Sequence, residues 1–128
     1  MSGLTKIEII TRPNRFHLFQ KELAKIGVSG LTVTKALGTG LEKGFIELYR
    51  GTKKESNIHE RMKIEIVVST VPVEDVLRVV KETLRTGEPG DGKVFIYPLA
   101  EVVKISTGET GIDALQDKPS KLIVKMVN

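Results

Sequence analysis

The chain has 128 residues, a net charge of +4 at pH 7 and no cysteine. This length predicts one domain over residues 1–128, and the lack of cysteine excludes disulfides and thiolate ligands, so we predict no metal site. Because the basic residues are spread among 16 acidic ones and only 5% of residues are aromatic, nucleic-acid binding is not favoured. No apolar stretch reaches about 18 residues and no signal-peptide pattern is present, so we expect a cytoplasmic protein without membrane insertion.

The first part of the chain predicts a strand, a helix and a second strand. Residues 6–11 alternate apolar and polar side chains in the manner of a strand. Asn14 is the predicted N-cap of a helix over residues 15–26, and Gly27 ends that helix. Residues 31–37 are rich in β-branched side chains and predict the next strand. The helix carries one apolar face, which consists of Phe16, Phe19, Leu23 and Ile26.

A second unit of the same kind follows. Residues 62–68 predict a strand, Pro72 marks the first turn of a helix, and residues 93–97 predict the closing strand. The predicted buried face of this helix is Val73, Val76, Val80 and Leu84. Two strand-helix-strand units predict an α+β fold of the ferredoxin-like double βαβ type, with an antiparallel sheet on one side and the helices on the other.

Two segments lie outside these units. The connection over residues 38–61 is polar and far longer than usual, which is typical of a binding loop carried on a rigid scaffold. The alternative is a flexible hairpin, because residues 45–49 have strand propensity. The C-terminal extension, about residues 110–128, ends in an apolar cluster that could cover the sheet, reach a neighbouring subunit or dock on a partner.

A glycine-rich segment precedes the last predicted strand. Residues 86–96 contain three glycines, an aspartate and a lysine directly before an apolar run. Such a segment can bring backbone N–H groups and one ammonium group to a phosphate. A tight turn between two elements would have the same composition, so both interpretations remain open on local grounds.

Three segments together resemble the PII signal-transduction family: residues 86–96, the ELYRG sequence at 47–51 and the ISTGE sequence at 105–109. The resemblance extends from about residue 7 to residue 109. It implies the ferredoxin-like fold, a homotrimer with adenine nucleotides bound between subunits, and a T-loop at about residues 38–61 that contacts a target protein.

The resemblance also implies which residues form each nucleotide site. One subunit would contribute Gly38, Thr39, Gly40, Glu65, Val67, Gly90, Asp91, Gly92 and Lys93. The adjacent subunit would contribute Gly30, Leu31, Thr32, Lys104 and Ser106. The glycines would permit close backbone approach and the two lysines would bind phosphate oxygens. Ile10 and Val67 are candidates for sandwiching the purine, although core packing explains these two residues equally well.

The chain departs from the family pattern at several positions. Glu42 replaces a glutamine that helps to hold magnesium and 2-oxoglutarate, so we predict poor or no 2-oxoglutarate binding, although Mg²⁺ could still accompany ATP. Lys54 replaces the uridylylated tyrosine, which excludes that modification, and Thr52 lies where some relatives carry a phosphorylated serine. Lys104 and Ser106 stand for two phosphate-binding arginines, which predicts a weaker grip on the outermost phosphate.

These observations predict a regulatory protein that senses ADP, ATP or AMP and signals to a transporter or an enzyme through its T-loop, without a 2-oxoglutarate response. One alternative is a carbon-status sensor that also binds bicarbonate, with Arg12, Glu42, Lys43 and Arg61 as candidate small-anion ligands. A standard nitrogen-regulatory PII protein and a nucleotide-independent assembly protein are further alternatives. Catalysis is not predicted, because no nucleophile-base set can be placed in the sequence.

Overall fold

The computed structural model describes residues 3–39 and 58–115. These residues form one four-stranded antiparallel sheet in the order β2-β3-β1-β4 and two α-helices. The elements are β1 (Leu4–Thr11), α1 (Phe16–Lys25), β2 (Thr32–Thr39), β3 (Ile58–Val68), α2 (Val73–Thr83) and β4 (Gly92–Leu99), with 3-10 turns at Pro13–Arg15 and Gly111–Ala114. The predicted α+β ferredoxin-like double βαβ fold is confirmed. Within the described ranges, no helix is long and apolar enough to cross a membrane.

The core lies between the helices and one face of the sheet. The two central strands, β1 and β3, alternate buried and partly exposed side chains, which is why only one of their faces is apolar throughout. Burying each of these large side chains stabilises the fold by about 1.5–3 kcal/mol. The largest fully buried side chains are Ile7, Ile9, Ile64, Ile66 and Val68 from the strands, and Phe19, Leu23 and Val76 from the helices.

Helix α1 has the predicted apolar face but begins differently. Phe19 and Leu23 are fully buried. The predicted N-cap is wrong: Asn14 lies inside the 3-10 turn, and Arg15 occupies the N-cap position without a side-chain hydrogen bond. Proline fixes φ near −65°, so Pro13 starts the helical geometry at its own position. At the other end Gly27, with φ of 98°, ends the helix as predicted.

Helix α2 buries a wider stripe than its sequence indicated. Val76 and Leu84 are buried as predicted, and Val73 and Val80 are partly buried against the core. Val79 is also buried, at 3% exposure, and was not predicted. The helix packs against both the sheet and α1, so more than one narrow row of its side chains is covered.

The strands β2 and β3 extend into the predicted connection. Gly38 and Thr39 are the last two residues of β2 and pair with His59 and Ile58, so the prediction that the connection begins at residue 38 is wrong for these two residues. The expected loop over 38–61 therefore overlaps strand at both ends. Outside the described residues lie Gly40, Glu42, Lys43, Thr52, Lys54 and residues 116–128.

Candidate functional site

The antiparallel topology brings the ends of all four strands together at one end of the sheet. β1 and β2 end there, at Thr11 and Thr39, while β3 and β4 begin there, at Ile58 and Gly92. Residues 40–57 connect two of these ends. A ligand bound at this end of the sheet, next to β2 and β3, would therefore lie close to the residues that flank the predicted T-loop.

A pocket of about 420 Å³ lies at this end of the sheet, and we call it the end pocket. Its volume lies within the range of roughly 300–1,000 Å³ that is usual for small-molecule sites. The end pocket is lined by Ile10, Gly38, Thr39, His59, Arg61, Pro89, Gly90, Gly92, Lys93 and Phe95. Seven of these ten were candidate site residues from the sequence; the other three are His59, Pro89 and Phe95.

The cations of the end pocket lie on two different strands. Arg61 comes from β3 and Lys93 from β4, and Ile10 of the intervening β1 pairs with Lys93. Two positive side chains flanking an apolar floor can bind a ligand that carries both anionic and apolar parts. His59 could have been found from the sequence, because it precedes Arg61 by two residues and so shares its face once β3 is extended to Ile58.

Residues 86–92 are here called the glycine loop, and three of them, Pro89, Gly90 and Gly92, line the end pocket together with Lys93. Gly90 and Gly92 have φ of 97° and 107°, a region that other residues rarely adopt. A Cβ at Gly92 would lie 1.8 Å from the backbone oxygen of Ile10. The close approach at Gly92 is thus made by the chain's own strand β1. Gly38 has no such requirement, because a Cβ there would stand 3.4 Å from Cγ of Arg61.

Asp91 and Arg12 turn away from the end pocket and toward each other. The Asp91 carboxylate accepts hydrogen bonds from Thr86 N at 2.8 Å, Thr86 Oγ1 at 2.6 Å and Gly87 N at 2.9 Å, and it pairs with the Arg12 guanidinium. These partners, Thr86 first, hold the pKa of Asp91 well below its usual range. Arg12 also donates to the backbone oxygen of Pro89. Both side chains therefore organise the glycine loop, and Arg12 is engaged rather than free for a small anion.

Other candidate residues on β2 and β3 lie toward the opposite end of the sheet. Thr32 pairs with Glu65 and is six residues from Gly38 along β2, a distance of about 20 Å. Glu65 forms an ion pair of 2.7 Å with Lys6, whose hydrogen bond lowers the pKa of Glu65. Val67 pairs with the same lysine. The single chain thus does not bring these residues, or Gly30 and Leu31, to the end pocket.

Lys104 and Ser106 lie in a compact turn beyond β4. Lys104 N donates to Glu109 O and Gly108 N donates to Lys104 O, both at 2.8 Å. Ile105, between the two candidate residues, is 100% exposed in the single chain. Their predicted role as ligands from an adjacent subunit stays a prediction. Among residues 3–39 and 58–115, no group of three or more His, Asp or Glu side chains is placed to hold a metal ion.

Comparisons with known proteins agree on one family. The family profile described as nitrogen regulatory protein P-II matches residues 4–109. The nitrogen regulatory PII-like protein of Bacillus subtilis is 53% identical over 116 residues, covering 90% of this chain and all of that protein. The solved B. subtilis GlnK-ATP complex is 45% identical with a TM-score of 0.75, covering 90% of this chain and 99% of that one. Arabidopsis thaliana PII bound to citrate is 34% identical with a TM-score of 0.73, covering 91% and 93%.

The matched range includes all six strands and helices of the fold and every residue that lines the end pocket. The resemblance noted in the sequence is therefore confirmed over essentially the range in which it was expected. The chain belongs to the PII family of regulatory signalling proteins and is not an enzyme.

Proposed function

We propose that the end pocket binds the phosphate groups of an adenine nucleotide and that the protein is a nucleotide-responsive regulator. The observation that supports this most strongly is the arrangement of Gly90, Gly92 and Lys93 opposite Arg61 around one pocket. A backbone in left-handed conformation exposes N–H groups, and two cations supply charge to phosphate oxygens. The B. subtilis relative was solved with ATP, which supports the same class of ligand here.

The pocket also offers a route for the signal. Gly38, Thr39 and His59 line it and directly flank residues 40–57. A nucleotide that contacts these strand ends differently with two or three phosphates would favour different conformations of the T-loop. The target, a transporter or an enzyme, would then bind one conformation preferentially, since a ligand with equal affinity for both states transmits nothing.

A neighbouring subunit would complete the site. Thr32 is six residues from Gly38 along β2 and Lys104 does not line the end pocket, whereas a homotrimer could bring the copies of both residues on an adjacent subunit to it. Exposed apolar side chains support association, since Tyr97 is 42% and Ile105 100% exposed in the single chain. Gly30, Leu31 and Ser106 would enter the site with them, near the base and the outer phosphate.

The 2-oxoglutarate response is proposed to be absent. Glu42 follows the end of β2 by three residues and would place a carboxylate near any dicarboxylate bound with the nucleotide. At 4 Å and an effective dielectric constant of 20, this repulsion costs about 4 kcal/mol. A standard nitrogen-regulatory PII protein would bind 2-oxoglutarate, so this ligand separates the two interpretations.

Bicarbonate sensing is less well supported. Of the candidate anion ligands, Arg12 already pairs with Asp91 and Pro89, which leaves Arg61 as the pocket cation among the candidates that the structure describes. One guanidinium can bind a small anion, but it also faces the proposed phosphate site. We therefore favour the adenylate sensor.

Calorimetric titration tests the proposal. The purified protein is titrated with ATP, ADP and AMP, each with and without Mg²⁺, and the nucleotide-saturated protein is then titrated with 2-oxoglutarate and with bicarbonate. We expect saturable nucleotide binding and no heat from 2-oxoglutarate. Saturable 2-oxoglutarate binding would indicate the standard nitrogen-regulatory class, and a lack of nucleotide binding would indicate an assembly protein.

A further inference from the structure

The guanidinium of Arg12 connects the end of β1 to two points of the glycine loop. Nη1 pairs with Asp91 Oδ1 and Nη2 donates to the backbone oxygen of Pro89. We propose that Arg12 is a positioning residue for nucleotide binding, which holds the glycine loop in the shape that presents Gly90, Gly92 and Lys93 to the phosphates. This inference rests on the proposed function.

The two contacts of Arg12 lie on either side of Gly90. Because the guanidinium is planar, its two nitrogens hold the Pro89 oxygen and the Asp91 carboxylate at a fixed spacing. The residue between them, Gly90, has φ of 97° and lines the end pocket. The fork of Arg12 thus defines the conformation of the loop at the position where backbone would meet a phosphate.

Asp91 carries the same restraint further around the loop. One carboxylate oxygen accepts from Thr86 N and Gly87 N, and the other accepts from Thr86 Oγ1 and pairs with Arg12. In addition, Thr11 Oγ1 donates to the backbone oxygen of Asp91 at 2.9 Å. The side chains of Arg12 and Asp91 are only 29% and 23% exposed, so these charged contacts are partly shielded from water.

Arg12 does not itself line the end pocket. Its removal would therefore act on a ligand through the loop and not through a lost contact. The glycine loop is the proposed phosphate-binding wall, whereas the purine is expected at the far side with Thr32. A positioning role predicts that ligands with phosphates are affected and that adenosine is not.

The test compares ATP with adenosine on the full-length chain. ATP is titrated by calorimetry and adenosine by NMR chemical shifts, which extend to millimolar affinity. For Arg12→Ala we expect ATP affinity to fall about tenfold and adenosine affinity to change less than about twofold. Arg12→Lys should recover part of the loss, because an ammonium group can reach one partner but cannot reproduce the fork.

Arg15→Ala is the matched control. Arg15 ends the 3-10 turn that Arg12 precedes, and it donates to a backbone oxygen, that of Thr83, at 3.3 Å, but no hydrogen bond or ion pair joins it to the glycine loop in the described residues. We expect its ATP and adenosine affinities to equal those of the wild type. A loss in Arg15→Ala equal to that in Arg12→Ala would overturn the inference.

The possible outcomes separate the inference from the proposed function. If the wild type does not bind ATP, both fail. If the wild type binds ATP and Arg12→Ala binds it equally well, or loses ATP and adenosine alike, only the positioning role fails. Should Arg12→Ala not fold, Thr86→Val decides the question, because it removes the hydrogen bond that Thr86 Oγ1 donates to Asp91 and the one that it accepts from Glu88 N. Selective weakening of ATP binding supports the role, and unchanged ATP affinity overturns it.

Discussion

The end pocket and the segment that follows β4 differ in how much of their structure one chain provides. At the end pocket, Arg12, Asp91 and Thr86 are joined by hydrogen bonds within the chain, and the glycine loop is fully shaped. In the segment that follows β4, Val103 is 57% and Ile105 100% exposed. The glycine loop is held by contacts within one chain, whereas the segment that follows β4 has apolar side chains that remain to be covered.

This difference suggests a division of labour in the proposed nucleotide site. The part of the site around Gly90, Gly92 and Lys93 is preformed by one chain, so these groups need little reorganisation when a ligand binds, whereas Lys104 and Ser106 would reach the outer phosphate only from a second copy. The base half would form only when a second copy is present. Nucleotide affinity should therefore depend on assembly, while the conformation of the glycine loop should not.

The largest expected effect is on the free energy of unfolding, when a side chain is added at Gly92. Gly92→Ala would place a Cβ 1.8 Å from the backbone oxygen of Ile10 at a φ of 107°, so we expect a loss of more than about 3 kcal/mol in urea unfolding. Gly87→Ala is the control, because φ is 89° but no atom lies within 4 Å of its Cβ, and only the backbone penalty of about 1–2 kcal/mol applies. Equal losses in the two variants would contradict the close approach at Gly92.

The second prediction concerns the exposed apolar side chains in the segment that follows β4. Ile105→Glu removes an apolar side chain worth about 1.5–3 kcal/mol per buried copy and introduces a charge. If the chain forms the proposed homotrimer, we expect this variant to dissociate it in size-exclusion chromatography with light scattering, while the monomer stays folded. Leu18→Glu, a 45% exposed position on α1, should leave the assembly intact. An assembly of the same mass in the wild type and in Ile105→Glu would show that Ile105 is not part of the proposed interface.

The third prediction concerns the charge of the preformed half. Lys93→Ala removes a cation from the end pocket, and we expect ATP affinity to fall about 10- to 100-fold, since a charge-assisted hydrogen bond contributes about 1.5–3 kcal/mol. Lys21→Ala on α1 should bind ATP like the wild type. If calorimetry gave the same dissociation constant for both variants, the phosphates would have to bind elsewhere.

The smallest effect is a pH dependence at Asp91. Its pKa is lowered in the folded state, so its contribution to stability is fully present above the usual unfolded value of about 3.9 and is lost as pH falls through the lower folded value. Asp91→Asn should therefore be less stable than the wild type at pH 7, and the gap should narrow below about pH 4. Urea unfolding from pH 7 to pH 2.5 measures it, and a constant gap would contradict this assignment.

Much of the fold could be predicted from periodicity. The apolar positions of α1 recur at helical spacing and meet the core, because burial decides their placement whatever the local capping. The N-cap failed for a local reason, since Pro13 starts the turn before Asn14 can cap it. The ends of β2 and β3 were also missed, because their polar residues and Gly38 resemble a loop until the two strands pair.

The sequence predicted which residues form the candidate site better than it predicted where their side chains point. Gly90, Gly92 and Lys93 do gather at one pocket, as the spacing and the family resemblance implied. Asp91 lies between them in sequence but turns to Arg12, 79 residues away along the chain. Local sequence cannot reveal that turn, because it depends on how β1 and the glycine loop meet in the folded sheet.

A crystal structure of the protein with ATP would test the central claim most directly. The account predicts the phosphates in the end pocket, against the backbone of Gly90 and Gly92 and the ammonium group of Lys93, with the base directed to Thr32 of an adjacent copy. Nucleotide bound away from the glycine loop would contradict the assignment of the end pocket as the phosphate site.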